Sequence, residues 1–295
     1  MSFCILGLLV GGVIGYFVND TFRLLVSDAY NSVFKVLITD RVLREEAVAY
    51  SNLPYCNTSH QRQTLDLYVP RSSTKRPMPL MVFIHGGGWR AGDKSSQILS
   101  YYGEPLLKHG IAVASINYRL FPEVTYPGPN DDVACALTYL RNNATTYNLS
   151  TTSWGIFGDS AGAQLGAMAM SDPAVNAPLK LFVGFYGPYD MMLQAHRTPV
   201  RDVDAWNYTN HGRDAAVASP ILRSPKRDAT YLLFHGDRDR IVHNSQSRQF
   251  AAYLKQQGID VALTSVSHAG HGFGAQSMPT SHELRLLLLE HVTNL

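Results

Sequence analysis

The segment Gly158-Asp159-Ser160-Ala161-Gly162 sets one serine between small residues, directly after the short apolar run Trp154-Gly155-Ile156-Phe157. A serine hydroxyl becomes a useful nucleophile only where a base can take its proton and where a substrate can reach it. Glycines at the flanks permit a tight strand-to-helix turn, the G-x-S-x-G elbow, which pushes the Ser160 hydroxyl into the open. A helix beginning at Ala161 would direct backbone N–H groups and a positive dipole end at the same point. Upstream, Ile84-His85-Gly86-Gly87-Gly88-Trp89 closes another apolar run. Gly87 and Gly88, with the N–H of Ala161, are the natural donors for a developing oxyanion, because glycine turns its amide inward with no side chain in the way. A phosphate-binding turn is the rival reading, but neither G-K-[ST] nor G-x-G-x-x-G context accompanies it. His85 suits a structural hydrogen bond in this loop better than the part of a base.

Acyl transfer also needs a base and a group to orient it. Two acids follow the apolar run 230–234, in His235-Gly236-Asp237-Arg238-Asp239-Arg240-Ile241-Val242, and Asp237 and Asp239 both qualify by position. Two histidines follow the run 261–266, in Ser267-His268-Ala269-Gly270-His271-Gly272-Phe273. The chain order is then Ser, Asp, His. Trp89, Tyr118, Tyr186, Tyr189 and Phe273 adjoin the expected strand ends and are candidates to line a pocket, although core packing is the commoner fate of each. Asp132 and Asp159 are expected to tie loops together.

The elements that must hold these residues follow from periodicity. Leu65-Asp66-Leu67-Tyr68-Val69 alternates and stops at Pro70, as a strand does. Leu80 to Ile84 is continuously apolar, the pattern of a strand buried on both faces. Further strands are expected at 111–116, 154–157, 181–186, 230–234 and 261–266, and helices at 96–109, 131–141, 163–170, 245–257 and 282–292. This alternation predicts an α/β fold, a doubly wound and mostly parallel sheet with helices on both faces. Sites in such folds lie beyond the carboxyl ends of strands, where every candidate above falls. The less regular stretch 188–226 reads as a small lid insert over a pocket.

On these motifs, together with Asn117-Tyr118-Arg119-Leu120, the chain from about residue 60 to 295 resembles the α/β-hydrolase serine esterases of the hormone-sensitive-lipase-like and short carboxylesterase branch. The resemblance implies a catalytic set of Ser160, Asp239 and His271, preferring Asp239 to Asp237 and His271 to His268. It implies hydrolysis of carboxylic esters of small or medium acyl groups through an acyl-enzyme, with no metal or organic cofactor. An amide hydrolase on the same machinery, arylformamidase-like or a small peptidase, is the alternative, and a non-catalytic receptor on a hydrolase scaffold a more distant one.

The chain of 295 residues carries a formal net charge of +2 with no long basic run, so no nucleic-acid footprint appears. Residues 1–20 are expected to be a membrane anchor or signal segment, since Phe3 to Val18 is apolar and uncharged. As a helix that stretch spans about 24 Å, somewhat short of a bilayer core. Residues 21–49 read as a connecting helical segment and 50–295 as the catalytic domain. Asn19, Asn57, Asn143, Asn148 and Asn207 each begin an N-x-S/T triplet, where roughly two would arise by chance. The excess favours a lumenal or extracellular domain, membrane-anchored or secreted. Of the three cysteines, Cys56 and Cys135 are able to pair, but Cys135 lies in a helical pattern where a free buried thiol is the commoner outcome.

Overall fold

The computed structural model describes residues 41–292 apart from 57, 73–76, 176, 197–202 and 274–278. The expected anchor segment 1–20, residues 21–40 of the connecting segment, and two of the sequon asparagines, Asn19 and Asn57, lie outside the described residues.

Eight strands form one sheet: β1 (Ala47–Pro54), β2 (Thr64–Pro70), β3 (Met78–Ile84), β4 (Ala112–Ile116), β5 (Leu149–Asp159), β6 (Leu179–Phe185), β7 (Thr230–Gly236) and β8 (Val261–Val266). Their spatial order is β1-β2-β4-β3-β5-β6-β7-β8. β2 pairs antiparallel with β1 and with β4, and all other neighbours are parallel. The helices are α1 (Gln97–Lys108), α2 (Gly128–Asn142), α3 (Ala161–Ser171), α4 (Met191–His196), α5 (Val203–Tyr208), α6 (Ser245–Gln256) and α7 (Pro279–Val292), with residues 41–46 also helical. The sheet is the doubly wound, mostly parallel one that the alternation predicts. No helix among the described residues is long and apolar enough to cross a membrane.

The period-two geometry of a strand explains why β3 is apolar throughout. Leu80, Val82 and Ile84 share one core with Val133, Ala136 and Leu137 of α2 and Leu165 of α3. Met81 and Phe83 face the other way, into a core with Leu99, Tyr102 and Leu106 of α1 and Leu288 of α7. β7 divides likewise, Tyr231 and Leu233 against Leu232 and Phe234. β4 lies on one side of β3 and β5 on the other, so winding reverses direction between β3 and β5. A crevice opens at the carboxyl ends of strands flanking such a reversal.

Two expectations are corrected. The helical reading of 21–49 fails over its last residues: 41–46 are helical, but β1 starts at Ala47. β1 is an edge strand whose exposed Val48 and Tyr50 break the alternation that marks half-buried strands. Cys56 and Cys135 are joined in a disulfide, not free. Pairing β1 with β2 carries Cys56 to the face of α2, with the two Cα atoms 5.5 Å apart, a proximity that helical periodicity around Cys135 does not reveal.

The bridge closes a separation of 79 residues, so it removes many conformations from the unfolded chain. Cys135→Ala is expected to lower stability by about 2–4 kcal/mol, read from urea unfolding of the oxidised proteins. Equal stability of wild type and variant would show that the bridge is absent in solution.

Candidate active site

Ser160 sits at the join of β5 and α3 with φ 49 and ψ −118, a left-handed conformation for a residue with a side chain. The turn closes because its neighbours are small. A Cβ on Gly158 would lie 2.7 Å from the backbone of Gly162, and one on Gly162 would lie 2.0 Å from the Ile84 carbonyl oxygen. The Ser160 N–H donates to the Phe185 carbonyl at 2.9 Å, fixing the elbow to the end of β6.

Three side chains from separate strand ends meet here. Ser160 Oγ donates to His271 Nε2 at 3.0 Å, and His271 Nδ1 donates to Asp239 Oδ2 at 2.7 Å. The other oxygen, Asp239 Oδ1, accepts from the N–H groups of Ile241 at 2.9 Å and Val242 at 3.0 Å. Burial pushes the Asp239 carboxyl upward, but hydrogen bonding to His235 and His271 outweighs it and holds the group well below the usual carboxylate range. Its rivals Asp237 and His268 are exposed.

The glycine loop is braced from several directions. Gly86 N–H donates to Asp159 Oδ1 at 2.9 Å, and Ala91 N–H to the Gly87 carbonyl at 2.9 Å. Gly87 has φ +116, and a Cβ there would meet the Ala91 oxygen at 2.2 Å, so no larger residue fits. His85 is a structural member of the loop. Burial lowers its value to about 4, so it is neutral, with Nδ1 donating to the Gly86 carbonyl at 2.7 Å. Its Nε2 then accepts from Arg62 Nη2 at 3.2 Å. Arg62 also reaches the carbonyls of Tyr118 and Gly92, each at 2.9 Å. Asp132 and Asp159 tie loops as expected, Asp132 through Gln63 and Arg119.

Gly87, Gly88, Trp89, Asp159, Ser160, Tyr186 and His271 line a cavity of about 300 Å³, completed by residues such as Gln194, Asp204 and Ile241. Ala161, the third expected oxyanion donor, is the first residue of α3, where an N–H has no partner within the helix. Trp89 is held by Nε1 donating to Gln164 Oε1 at 3.0 Å and by stacking on Tyr208 at 4.4 Å. Tyr186 packs edge-on against the His271 ring at 4.7 Å. Burial keeps its phenol far above its ordinary value, so it stays neutral.

Three pocket candidates are corrected. Tyr118 is fully buried behind the loop, its hydroxyl donating to the His85 carbonyl at 2.8 Å and its ring stacked on His85. Phe273 packs on Tyr186 at 5.1 Å and backs the cavity wall without lining it. Tyr189 is likewise core, stacked on Phe250 at 4.4 Å. A strand end has a solvent side and a core side, and adjacency in sequence does not choose between them.

Several contributors escaped sequence reasoning. His235 is buried with Nε2 3.3 Å from Asp239 Oδ2 and 2.9 Å from the Val242 carbonyl, while Nδ1 lies 2.7 Å from Ser247 Oγ. Its place in the H-G-x-x-D pattern was the available signal. Arg62, Gln194 and Asp204 carry none, because each reaches the site from a segment without a motif. Among the described residues, no group of three His, Cys, Asp or Glu side chains could hold a metal ion.

The BD-FAE family model matches residues 65–254. Esterase LipC of Mycobacterium tuberculosis (strain ATCC 25618 / H37Rv) is 29% identical over 249 residues, covering 77% of this chain and 62% of that protein. Isoprenylcysteine alpha-carbonyl methylesterase ICME of Arabidopsis thaliana is 25% identical over 232 residues, covering 71% and 54%. This chain thus spans 62% and 54% of the lengths of these two relatives. A truncated carbohydrate esterase from gut microbiota superposes with a TM-score of 0.71 at 25% identity, over 84% of this chain and 97% of the other. Carboxyl esterase 2 of the fungus Tuber melanosporum shares the fold with a TM-score of 0.71 at 23% identity, over 84% and 86%.

The depressed Asp239 value has a thermodynamic consequence. A carboxyl lowered in the folded state contributes stability that is present above its unfolded value of about 4 and fades as pH falls below it. Asp239→Asn is therefore expected to be less stable than wild type at pH 7, with the gap narrowing below about pH 4. Urea midpoints at pH 7 and at about pH 3.5 measure this, and a gap that stays constant would contradict it.

Proposed function

The chain belongs to the BD-FAE family, and from that premise we propose that it hydrolyses carboxylic esters of small or medium acyl groups through an acyl-enzyme on Ser160. The observation that carries the reading is the unbroken hydrogen-bonded chain Ser160–His271–Asp239, at 3.0 and 2.7 Å, opening into the cavity. A scaffold kept only for binding has no need to hold a serine, an imidazole and a buried carboxylate in that register.

In the proposed reaction, Ser160 Oγ attacks the ester carbonyl carbon while His271 Nε2 takes the hydroxyl proton. Asp239 accepts from Nδ1–H throughout, which fixes the tautomer and stabilises the imidazolium that forms. Negative charge gathers on the former carbonyl oxygen, and the amides of Gly87, Gly88 and Ala161 are the donors assigned to it. As the tetrahedral species collapses, the carbon–oxygen bond to the alcohol breaks and His271 returns its proton to the departing oxygen. Water then attacks the acyl-serine, again giving its proton to His271, and the acid leaves with Ser160 regenerated.

Ser160→Ala is expected to reduce turnover of p-nitrophenyl butyrate by roughly 10⁴-fold or more and to abolish fluorophosphonate labelling, with folding unchanged by circular dichroism. An aryl amide series run beside the esters is expected to be turned over far more slowly. Wild-type protein that neither labels nor hydrolyses any ester would overturn the reading, and amides cleaved faster than matched esters would move it to an amidase.

We also infer an oxidising compartment, with the domain lumenal, extracellular or secreted. The disulfide between Cys56 and Cys135 supports this, since such bonds persist where thiols are not kept reduced. Asn148, a sequon asparagine, is exposed. Protein expressed through a eukaryotic secretory pathway is expected to lose mass on treatment with an N-glycosidase, and an unchanged mass would count against the assignment.

A further inference from the structure

Large apolar side chains remain exposed on elements that wall the Ser160 cavity. Met192 and Leu193 are exposed on α4, Val203 and Trp206 lie one turn apart on α5, and Ile241 stands in the loop after β7 with 57% of its surface open. The same three elements wall the cavity, through Gln194, Asp204, Ala205 and Ile241. Gln194 Nε2 donates to the Ile241 carbonyl at 3.2 Å, and α4 packs against α5, so the elements that carry the apolar rim adjoin one another at the cavity wall. These residues are not core side chains that missed their place. The inner faces of both helices bury Met191, Ala195, Ala205 and Tyr208, and the rim occupies the opposite faces.

Single exposed apolar residues need no explanation, but a contiguous group beside a site marks an interaction surface. What it binds is limited by where it lies. Anything seated on this rim covers the way in to Ser160, so a folded partner there would stop turnover. The occupant compatible with catalysis is one that itself supplies the substrate. Charge points the same way: Arg238 and Arg240 are exposed on the loop that carries Ile241, as suits anionic headgroups around an apolar contact.

We propose that α4, α5 and Ile241 form an interfacial docking face through which the protein draws amphiphilic esters from a micelle or bilayer surface. The substrate class rests on the ester-hydrolase reading above, whereas the binding step does not depend on it.

Trp206 makes the binding step measurable. It is 36% exposed, whereas Trp89 and Trp154 are 3% and 0% exposed, and the apolar segment Phe3 to Val18 contains no tryptophan. Full-length Ser160→Ala protein, which cannot consume lipid, is titrated with phosphatidylcholine vesicles containing phosphatidylglycerol. Emission is expected to shift to the blue and to be quenched by brominated acyl chains, and Trp206→Phe is expected to remove both responses. Adding Met192→Glu and Leu193→Glu is expected to weaken vesicle affinity by about tenfold or more, because two apolar contacts are lost. The same pair in the Ser160 background is expected to hydrolyse soluble p-nitrophenyl butyrate within about twofold of wild type, as surface substitutions usually do. It should lose the longer laurate ester presented in mixed micelles. Should the pair also impair butyrate hydrolysis, Val203→Glu is the replacement.

No spectral shift, or binding undiminished by the rim substitutions, would overturn the docking face. Dimers that form without vesicles and dissociate on the same substitutions would assign the face to a second copy and overturn it too. Failure of wild type on butyrate, with vesicle binding intact, would instead sink the ester reading and leave the docking face standing.

Discussion

The close approach of α3 to β3 is the constraint on which the site depends. Gly162 lies so near the Ile84 carbonyl that a methyl group would overlap it, and this contact brings the serine elbow beside the glycine loop that leaves the same strand. Holding Ser160 at positive φ costs of order 1–3 kcal/mol. The helix that follows offsets it. Residues 161 to 170 of α3 are buried throughout, in a run of alanine, glycine, leucine and methionine broken only by Gln164, and this lets the helix sit flat against the sheet. A nucleophile exposed by strain thus requires a neighbourhood packed tightly enough to refuse relaxation.

The two carboxylates nearest His271 show how burial alone does not decide a charge. Asp239 is buried, yet it stays ionised because one oxygen accepts two backbone N–H groups and the other faces two imidazoles. Asp159 has the Gly86 N–H, and desolvation raises it to about 6. The donors around Asp239 outweigh its desolvation, and the single loop N–H on Asp159 does not. His235 belongs to this account. Its ring lies between Asp239, Ser247 and the Val242 carbonyl, so a second imidazole, itself fixed, faces the same oxygen that accepts from His271.

What the sequence makes legible is whatever short-range rules govern. The elbow, the glycine loop and the buried strands are local patterns with local causes, and seven of the eight strands follow from them. β1 does not, since an exposed edge strand has no apolar period to read. Choosing Asp239 over Asp237 needed a family pattern, because both acids follow the same strand. Tyr118 and Phe273 were misjudged as pocket walls for a similar reason: side-chain direction past a strand end is set by the loops packed there. The disulfide depended on which face of α2 meets the turn after β1, a fact of tertiary structure alone.

The division between legible and hidden parts follows a division of labour. Bond-making groups sit at the ends of β3, β5, β7 and β8, where a rigid sheet fixes them and where the sequence must obey steric rules. Part of the cavity wall, Pro188, Gln194, Asp204 and Ala205, comes instead from the less regular stretch after β6, which needs only to bury one side. Met191, Ala195, Ala205 and Tyr208 bind that insert to the core, and the outer faces of α4 and α5 stay exposed. Folding alone would favour polar residues there, since apolar surface left in water forgoes the gain of burial. That Met192, Leu193, Val203 and Trp206 stand there instead, on helices that also wall the cavity, is the reason to look for a use of that surface.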